Sequence, residues 1–195
     1  MPSIDVKKRR IDSKIVYYGP GQSGKTENLK HIHGHLDAEH RGRLVSLPTK
    51  ADPSLHIDVL PVRFGKIIGF HTTFHLCSGP GQALALSTRK LLLRDADGIV
   101  FVADSRASRR EANVDSLHEL RENLEEYGLR LAPIPHIIQY NKRDLADCVS
   151  VGELRAELNL HGVPDFAAST ATGQGVLETL RAVVRSVGSD LERRL

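Results

Sequence analysis

Residues 14–26 of this 195-residue chain read KIVYYGPGQSGKT. The apolar run from Ile15 to Tyr18 predicts a short buried strand, and the glycine-rich segment after it matches G-x-x-x-x-G-K-[ST]. Backbone N–H groups of such a loop, and the positive end of the helix that follows, hold phosphate oxygens. The match predicts that a nucleoside triphosphate binds with its phosphates among Gly19, Pro20, Gly21, Gln22, Ser23, Gly24, Lys25 and Thr26.

The last two residues of this loop have separate predicted roles. Lys25 is expected to reach the β- and γ-phosphates, so it is both a binding and a catalytic candidate. The Thr26 hydroxyl is expected to ligate Mg²⁺, a hard cation that prefers oxygen ligands. Nucleotide and Mg²⁺ are therefore expected to bind together.

A second motif indicates which base is bound. Asn141, Lys142 and Asp144 form N-K-x-D directly after the predicted strand 136–140. The Asp144 carboxylate can accept hydrogen bonds from both the N1–H and the exocyclic amine of guanine, whereas adenine would leave it unpaired. The pattern predicts GTP and GDP as ligands, with a backbone contact to the base from the segment Ser169, Thr170 and Ala171.

A third motif, Ser78-Gly79-Pro80-Gly81-Gln82, follows another predicted strand. The Gly81 N–H is expected to face the γ-phosphate, and Gln82 is the candidate for orienting the attacking water. The alternative is an ordinary glycine turn that carries a surface glutamine.

Strands and helices alternate along most of the chain, which predicts an α/β fold with a mostly parallel sheet covered on both faces. Segments 55–62 and 67–77 are expected to be two strands joined by a turn at 64–66. A helix is expected to bury one face and to end at Gly128; the residues of that face are Val114, Leu117, Leu120, Leu124 and Tyr127. The whole chain, 1–195, is interpreted as one domain.

Composition excludes several classes of protein. Hydrophobic residues make up 40% and charged residues 26% of the chain, which argues against disorder. The two cysteines, Cys77 and Cys148, give no disulfide framework and favour a cytoplasmic protein, and no apolar stretch is long enough to cross a membrane. The net charge of +3 is concentrated in the segment 1–14. Residues 1–12 are interpreted as a basic lead-in with at most weak, peripheral membrane contact, and the neutral remainder argues against a nucleic-acid partner.

With three guanine-nucleotide motifs in order, the chain resembles the Ras-like small GTPases, and within them the bacterial MglA family of gliding-motility and cell-polarity switches. The resemblance runs from about residue 11 to residue 187 and includes Pro80-Gly81-Gln82, 97–105 and Asn141-Lys142-Arg143-Asp144-Leu145. It implies a Ras-like P-loop GTPase fold with a six-stranded sheet, a GTP/GDP cycle and an activating partner, a roadblock-domain protein similar to MglB. Effectors are expected to read residues 41–58 and 78–86, and the protein is expected in the cytoplasm, recruited to a cell pole.

The chain departs from this family in the first switch. An arginine and a threonine of the family align with Pro53 and Ser54, so Ser54 is the candidate second Mg²⁺ ligand, with Thr49 as a fallback. Because a catalytic arginine is worth about 10³–10⁵ in turnover, hydrolysis is expected to be slow unless Arg41, Arg43 or Arg63 takes its place. The alternatives are a GTP-binding interaction module with little hydrolysis and, less favoured by N-K-x-D, a P-loop kinase.

Overall fold

The computed structural model describes residues 2–49, 55–80 and 86–195, with the side chain of residue 86 excepted. Within these ranges eight strands form one sheet with helices on both faces. The strands are β1 (Ser3–Asp5), β2 (Arg10–Tyr18), β3 (Val45–Pro48), β4 (His56–Ile67), β5 (Phe70–Ser78), β6 (Gly98–Asp104), β7 (His136–Asn141) and β8 (Asp165–Ala167). The helices are α1 (Lys25–His35), α2 (Leu86–Leu93), α3 (Arg110–Glu125), α4 (Val151–Leu158) and α5 (Val176–Arg194).

The sheet order is β3-β4-β5-β2-β6-β7-β8, and β1 pairs with the beginning of β2. Strands β5, β2, β6, β7 and β8 are mutually parallel, so the predicted mostly parallel α/β fold is confirmed. The sheet has two more strands than the six expected. Both additions, β1 and β3, are short and pair antiparallel at the margins, so they carry too few residues for an apolar period to reveal them.

Alternate residues of β2 serve the two layers. Ile15 and Tyr17 pack with α1 and α5, whereas Val16 and Tyr18 pack with the layer of α2, α3 and α4. All four side chains are almost completely buried, because a central parallel strand is covered on both faces. This strand therefore fixes the loop that follows it relative to both helical layers.

The β4–β5 hairpin corrects the predicted turn. The turn lies at Ile68-Gly69, where both residues have positive φ (48° and 79°), and not at 64–66. Gly65, with φ of 60°, instead occupies a register shift between Arg63 and Lys66. A glycine at a bulge has the same sequence signature as a glycine in a turn, which explains the error.

The face predicted for α3 is partly wrong. Leu117, Leu120 and Leu124 are buried, but Val114 and Tyr127 are 45% and 40% exposed. The helix end is as predicted: Gly128 has φ of 68° and its N–H donates to the Glu125 carbonyl at 2.8 Å, while the Leu129 N–H donates to the Leu124 carbonyl at 3.0 Å. These two bonds form a Schellman motif.

The N-terminal segment is structured differently from a simple lead-in. Strand β2 begins at Arg10, ahead of the predicted start at Lys14, and β1 pairs with it in the register Asp5↔Arg10. The basic residues 7–9 lie in the turn between these strands and are exposed. Across the described ranges, none of the helices combines the length and the apolarity that a membrane crossing requires.

Candidate functional site

The glycine-rich loop joins the carboxyl end of β2 to α1, the position at which parallel α/β sheets bind ligands. Gly19 and Gly24 have φ of 143° and 100°. A Cβ on Gly19 would lie 2.3 Å from the Val102 carbonyl oxygen, and one on Gly24 would lie 2.2 Å from Asn141 Nδ2. Both glycines are therefore required by close approach as well as by conformation. Since Gly24 is the residue that caps α1, no side chain occupies the first N–H groups of the helix.

Lys25 is buried under this loop, with its side chain folded back over the backbone. Its Nζ donates to the carbonyl oxygens of Gly19, at 3.0 Å, and Pro20, at 2.7 Å. Burial, with a smaller contribution from the charge of Arg89, lowers the pKa of Lys25 to about 7. A phosphate placed beside Nζ would supply the negative charge that this buried ammonium lacks and would raise that pKa.

Four oxygen-bearing side chains meet next to the start of α1, three hydroxyls around the carboxylate of Asp58. The Thr26 hydroxyl donates to Asp58 Oδ2 at 2.7 Å, and the Ser78 hydroxyl donates to the same oxygen at 3.2 Å. Ser46 donates to the other carboxylate oxygen at 2.7 Å. Such a set of hydroxyl and carboxylate oxygens suits Mg²⁺.

Sequence reasoning missed Asp58, although an aspartate inside an apolar strand was an available signal. Three predicted site residues, Ser54, Gly81 and Gln82, lie outside the described residues, as does Pro53. The fallback ligand Thr49 is buried just after β3.

Asn141, at the end of β7, connects the glycine-rich loop after β2, called the phosphate loop from here on, to the loop after β8. Its Nδ2 donates to the Ser23 carbonyl at 2.7 Å, and its Oδ1 accepts the Thr170 backbone N–H at 3.0 Å. In the same region the Ser169 hydroxyl donates to Asp144 Oδ1 at 2.6 Å, and Ala171 is exposed. The structure thus brings the residues predicted to hold the phosphates close to those predicted to recognise the base.

Lys142 is held by an acid that sequence reasoning did not single out. Its Nζ donates to Asp104 Oδ2 at 2.9 Å, and Arg106 Nη2 donates to the same oxygen at 2.7 Å. Asp104 is completely buried at the carboxyl end of β6. Burial acts to raise the pKa of Asp104, but the hydrogen bonds from Arg106 and Lys142 outweigh it and the pKa is lowered. An acid that ends a buried strand was the signal for this residue.

An arginine also contacts the phosphate loop. Arg109, just before α3, donates from Nη2 to the Gly21 carbonyl at 2.9 Å. Its Nε is buried with no hydrogen-bond partner among the described atoms and lies 4.0 Å from Asp104 Oδ2. The guanidinium is therefore close to the predicted phosphate position with hydrogen-bonding capacity to spare.

The arginines suggested by sequence lie elsewhere. Arg63 pairs with Thr73 in β5, well before the strand end at Ser78, and Arg41 forms a bridge with Val62. At about 3.3 Å per residue, the backbone of Arg63 is roughly 17 Å and that of Arg41 roughly 13 Å from the loop edge of the sheet. Arg43 is exposed ahead of β3.

Comparison with known proteins agrees with this arrangement of motifs. The chain matches the model of the ADP-ribosylation factor family over residues 5–187. It is 49% identical over 193 residues to the mutual gliding-motility protein MglA of Myxococcus xanthus, a match that covers 99% of each chain. Shorter matches of 84 residues, at 32% and 31% identity, link it to the GTPase Obg of Caldicellulosiruptor bescii and of Caldicellulosiruptor saccharolyticus. These cover 43% of this chain and 20% of each Obg protein.

Proposed function

We propose that this chain, which belongs to the ADP-ribosylation factor family of small GTPases and within it to the MglA family, acts as a slow GTP/GDP switch. The proposed process is bacterial cell polarity or gliding motility. The observation that supports the proposal is that the loops after β2, β7 and β8 meet at Asn141. This residue ties the loop after β2 to the loop after β8, so the elements for phosphate and for guanine share one edge of the sheet.

In this proposal the nucleotide lies along that edge. Residues 19–26 hold the phosphates, Lys25 neutralises their charge, and Asp144 with residues 169–171 recognises guanine, as their positions allow. Lys142 is oriented for the nucleotide by its bond to Asp104.

Mg²⁺ would be held by Thr26, with Asp58, Ser78 and the predicted ligand Ser54 as further oxygen donors. When bound, the ion neutralises charge on the β- and γ-phosphates. Among the described residues, Thr26 and Ser78 both donate to the Asp58 carboxylate, so these three oxygen donors already lie together.

Hydrolysis requires a positioned water and a positive charge near the γ-phosphate. Gln82 is the proposed residue that orients the water. We assign the charge to Arg109, because its guanidinium contacts Gly21 inside the phosphate loop and its Nε has no hydrogen-bond partner among the described atoms. Rotation of the guanidinium away from the Gly21 carbonyl would free the Nη2 donor, in addition to Nε, for phosphate oxygens.

The proposed partners are an activating protein with a roadblock domain, similar to MglB, and effectors that read residues 41–58 and 78–86. Strand β3 lies in the first segment with Val45 and Leu47 exposed by 38% and 50%, an apolar edge that a partner can cover. The proposed location is the cytoplasm with recruitment to a pole.

Single-turnover hydrolysis of preloaded GTP in the presence of Mg²⁺ tests the switch. Wild type is expected to release phosphate slowly, and Gln82→Leu to release none above background while binding GDP with unchanged affinity. Intact GTP in both proteins would contradict hydrolysis by the isolated chain and would favour the interaction module instead. Failure to bind GTP or GDP would overturn the whole proposal.

A further inference from the structure

Two turns meet at the end of the sheet that faces away from the candidate nucleotide site. Strands β2 and β5 are parallel, so the turn before β2 and the turn before β5 lie at the same edge. The register pairs Arg10 with His71, and the His71 N–H donates to the Arg9 carbonyl at 2.9 Å. The turn residues 6–10 and 66–69, called the tip below, therefore form one continuous surface.

The tip is strongly basic. Lys7, Lys8, Arg9, Arg10 and Lys66 are all exposed. Lys8 and Arg10 have acidic neighbours, Asp5 at 3.8 Å and Asp12 at 2.8 Å, and both pairs are partly exposed to water. Within the described ranges, the other three cations form no ion pair. Because the segment 1–14 carries the whole net charge of +3, this end of the molecule is basic on a chain that is otherwise neutral.

The tip is also apolar at its most protruding points. Val6 and Ile68 are 70% and 56% exposed, one in each turn, and Ile4 on the adjacent strand is 39% exposed. Exposed apolar side chains are common as single residues, but here they stand among lysines and arginines on one surface. A headgroup layer suits this combination, since cations meet lipid phosphates while short apolar side chains enter the acyl boundary.

Ile68 provides an independent observation. It adopts φ of 48°, a left-handed conformation that a β-branched side chain rarely takes, as the first residue of the two-residue hairpin turn Ile68-Gly69. Asparagine would relieve the backbone strain and also remove an apolar side chain from water. Isoleucine at this position therefore lowers the stability of the folded chain, which indicates that its side chain makes a contact with another molecule.

We propose that the tip docks on an anionic lipid surface, with Val6 and Ile68 inserted between headgroups and the basic residues on their phosphates. A nucleic acid fits less well, because exposed Val6 and Ile68 gain nothing from a phosphate backbone. The proposal does not depend on GTP hydrolysis, because the tip and the candidate nucleotide site are at opposite ends of β2.

Sedimentation of the full chain with vesicles tests the proposal. Wild type is expected to bind vesicles of phosphatidylcholine and phosphatidylserine mixed in a ratio of about two to one, to bind pure phosphatidylcholine at least tenfold less, and to be released as salt is raised. Lys7→Glu with Lys8→Glu is expected to weaken binding more than tenfold, since each basic residue near such a surface contributes about fivefold. Its control is Arg181→Glu with Arg185→Glu, which changes the net charge equally on exposed positions of α5.

Ile68→Asn separates contact from folding. This variant is expected to lose at least threefold in vesicle binding while its thermal midpoint is equal to or higher than that of wild type. Leu160→Asn is the matched control, because Leu160 is 65% exposed ahead of β8, three strands away from β2 in the sheet order, and its binding is expected to be unchanged. Equal binding to both vesicle types, equal losses in the controls, or salt-dependent binding of duplex DNA with none to vesicles would each overturn the proposal.

Discussion

Replacing Arg109 with alanine tests the source of the catalytic charge directly. The change removes the guanidinium that donates to the Gly21 carbonyl at 2.9 Å. The Arg109 side chain is part-exposed and makes this one hydrogen bond, and its ion pair with Asp104 is long at 4.0 Å. Asp104 keeps Arg106 and Lys142 as closer partners, so the expected loss of folding stability is about 1 kcal/mol. The fold and the phosphate loop are expected to survive the substitution.

The expected effect on hydrolysis is much larger. GTPases that lack an arginine hydrolyse GTP at about 4 × 10⁻⁴ s⁻¹, whereas those with an arginine on the same chain reach about 10⁻² s⁻¹. The ratio is about 25-fold, or about 2 kcal/mol of transition-state stabilisation. Because Arg109 reaches the loop from its own chain, we expect Arg109→Ala to slow single-turnover hydrolysis by roughly this factor.

The assay is phosphate release from preloaded GTP at pH 7.5 with excess Mg²⁺, together with GDP dissociation measured separately. Arg109→Lys keeps the charge but loses the planar fork, and is expected to fall between wild type and alanine. Arg41→Ala and Arg63→Ala are controls that should hydrolyse at the wild-type rate. Hydrolysis by Arg109→Ala within threefold of wild type would refute the assignment, and a GDP release that rises as much as hydrolysis falls would reduce Arg109 to a support of the loop.

Three further predictions concern the same edge of the sheet. Gly24→Ala would place a Cβ 2.2 Å from Asn141 Nδ2, so we expect at least a hundredfold loss of GDP affinity by fluorescence titration, and unchanged affinity would contradict the close approach. Asp144→Asn exchanges an acceptor for a donor, so we expect it to lose about a hundredfold in GDP affinity and to gain affinity for xanthosine diphosphate, whose ring presents an oxygen where guanine has the amine. Asp104 has a lowered pKa in the folded protein, so its stabilising contribution is present above the ordinary carboxyl pKa of 3.8 and is lost as pH falls through the lower folded value. Urea midpoints of wild type should therefore drop below about pH 4, and Asp104→Asn should have a lower midpoint at neutral pH with a flatter acid profile.

The parallel core of the fold could be predicted because its strands carry strong local signals. Strand β6 is buried along its whole length, and its unbroken apolar run leaves little choice of structure. Strands β1 and β3 could not be predicted, since they gain their stability from pairing with β2 and β4 rather than from a buried face of their own. The position of the turn at Ile68-Gly69 could not be predicted either, because nothing in the local sequence favours an isoleucine with positive φ.

The candidate site divides in the same way. Motif spacing located residues 19–26 and Asn141, since each motif requires particular backbone geometry at a strand end. Asp58, Asp104 and Arg109 were missed because none of them belongs to one of the three nucleotide motifs, and they reach the site through the tertiary fold. Pairing between β4 and β5, and the packing of the β6 end against the phosphate loop, place them there.

Strand β2 has the tip at one end and the phosphate loop at the other, and its nine residues form an inextensible spacer. Eight steps at about 3.3 Å set the two ends about 26 Å apart, well beyond the screening distance of about 8–10 Å in physiological salt. Charge at one end is therefore not felt at the other. In a molecule bound to a surface through the tip, the nucleotide would lie at a fixed distance from that surface. Regulators and effectors would then bind at the opposite end of β2, without contact with the surface.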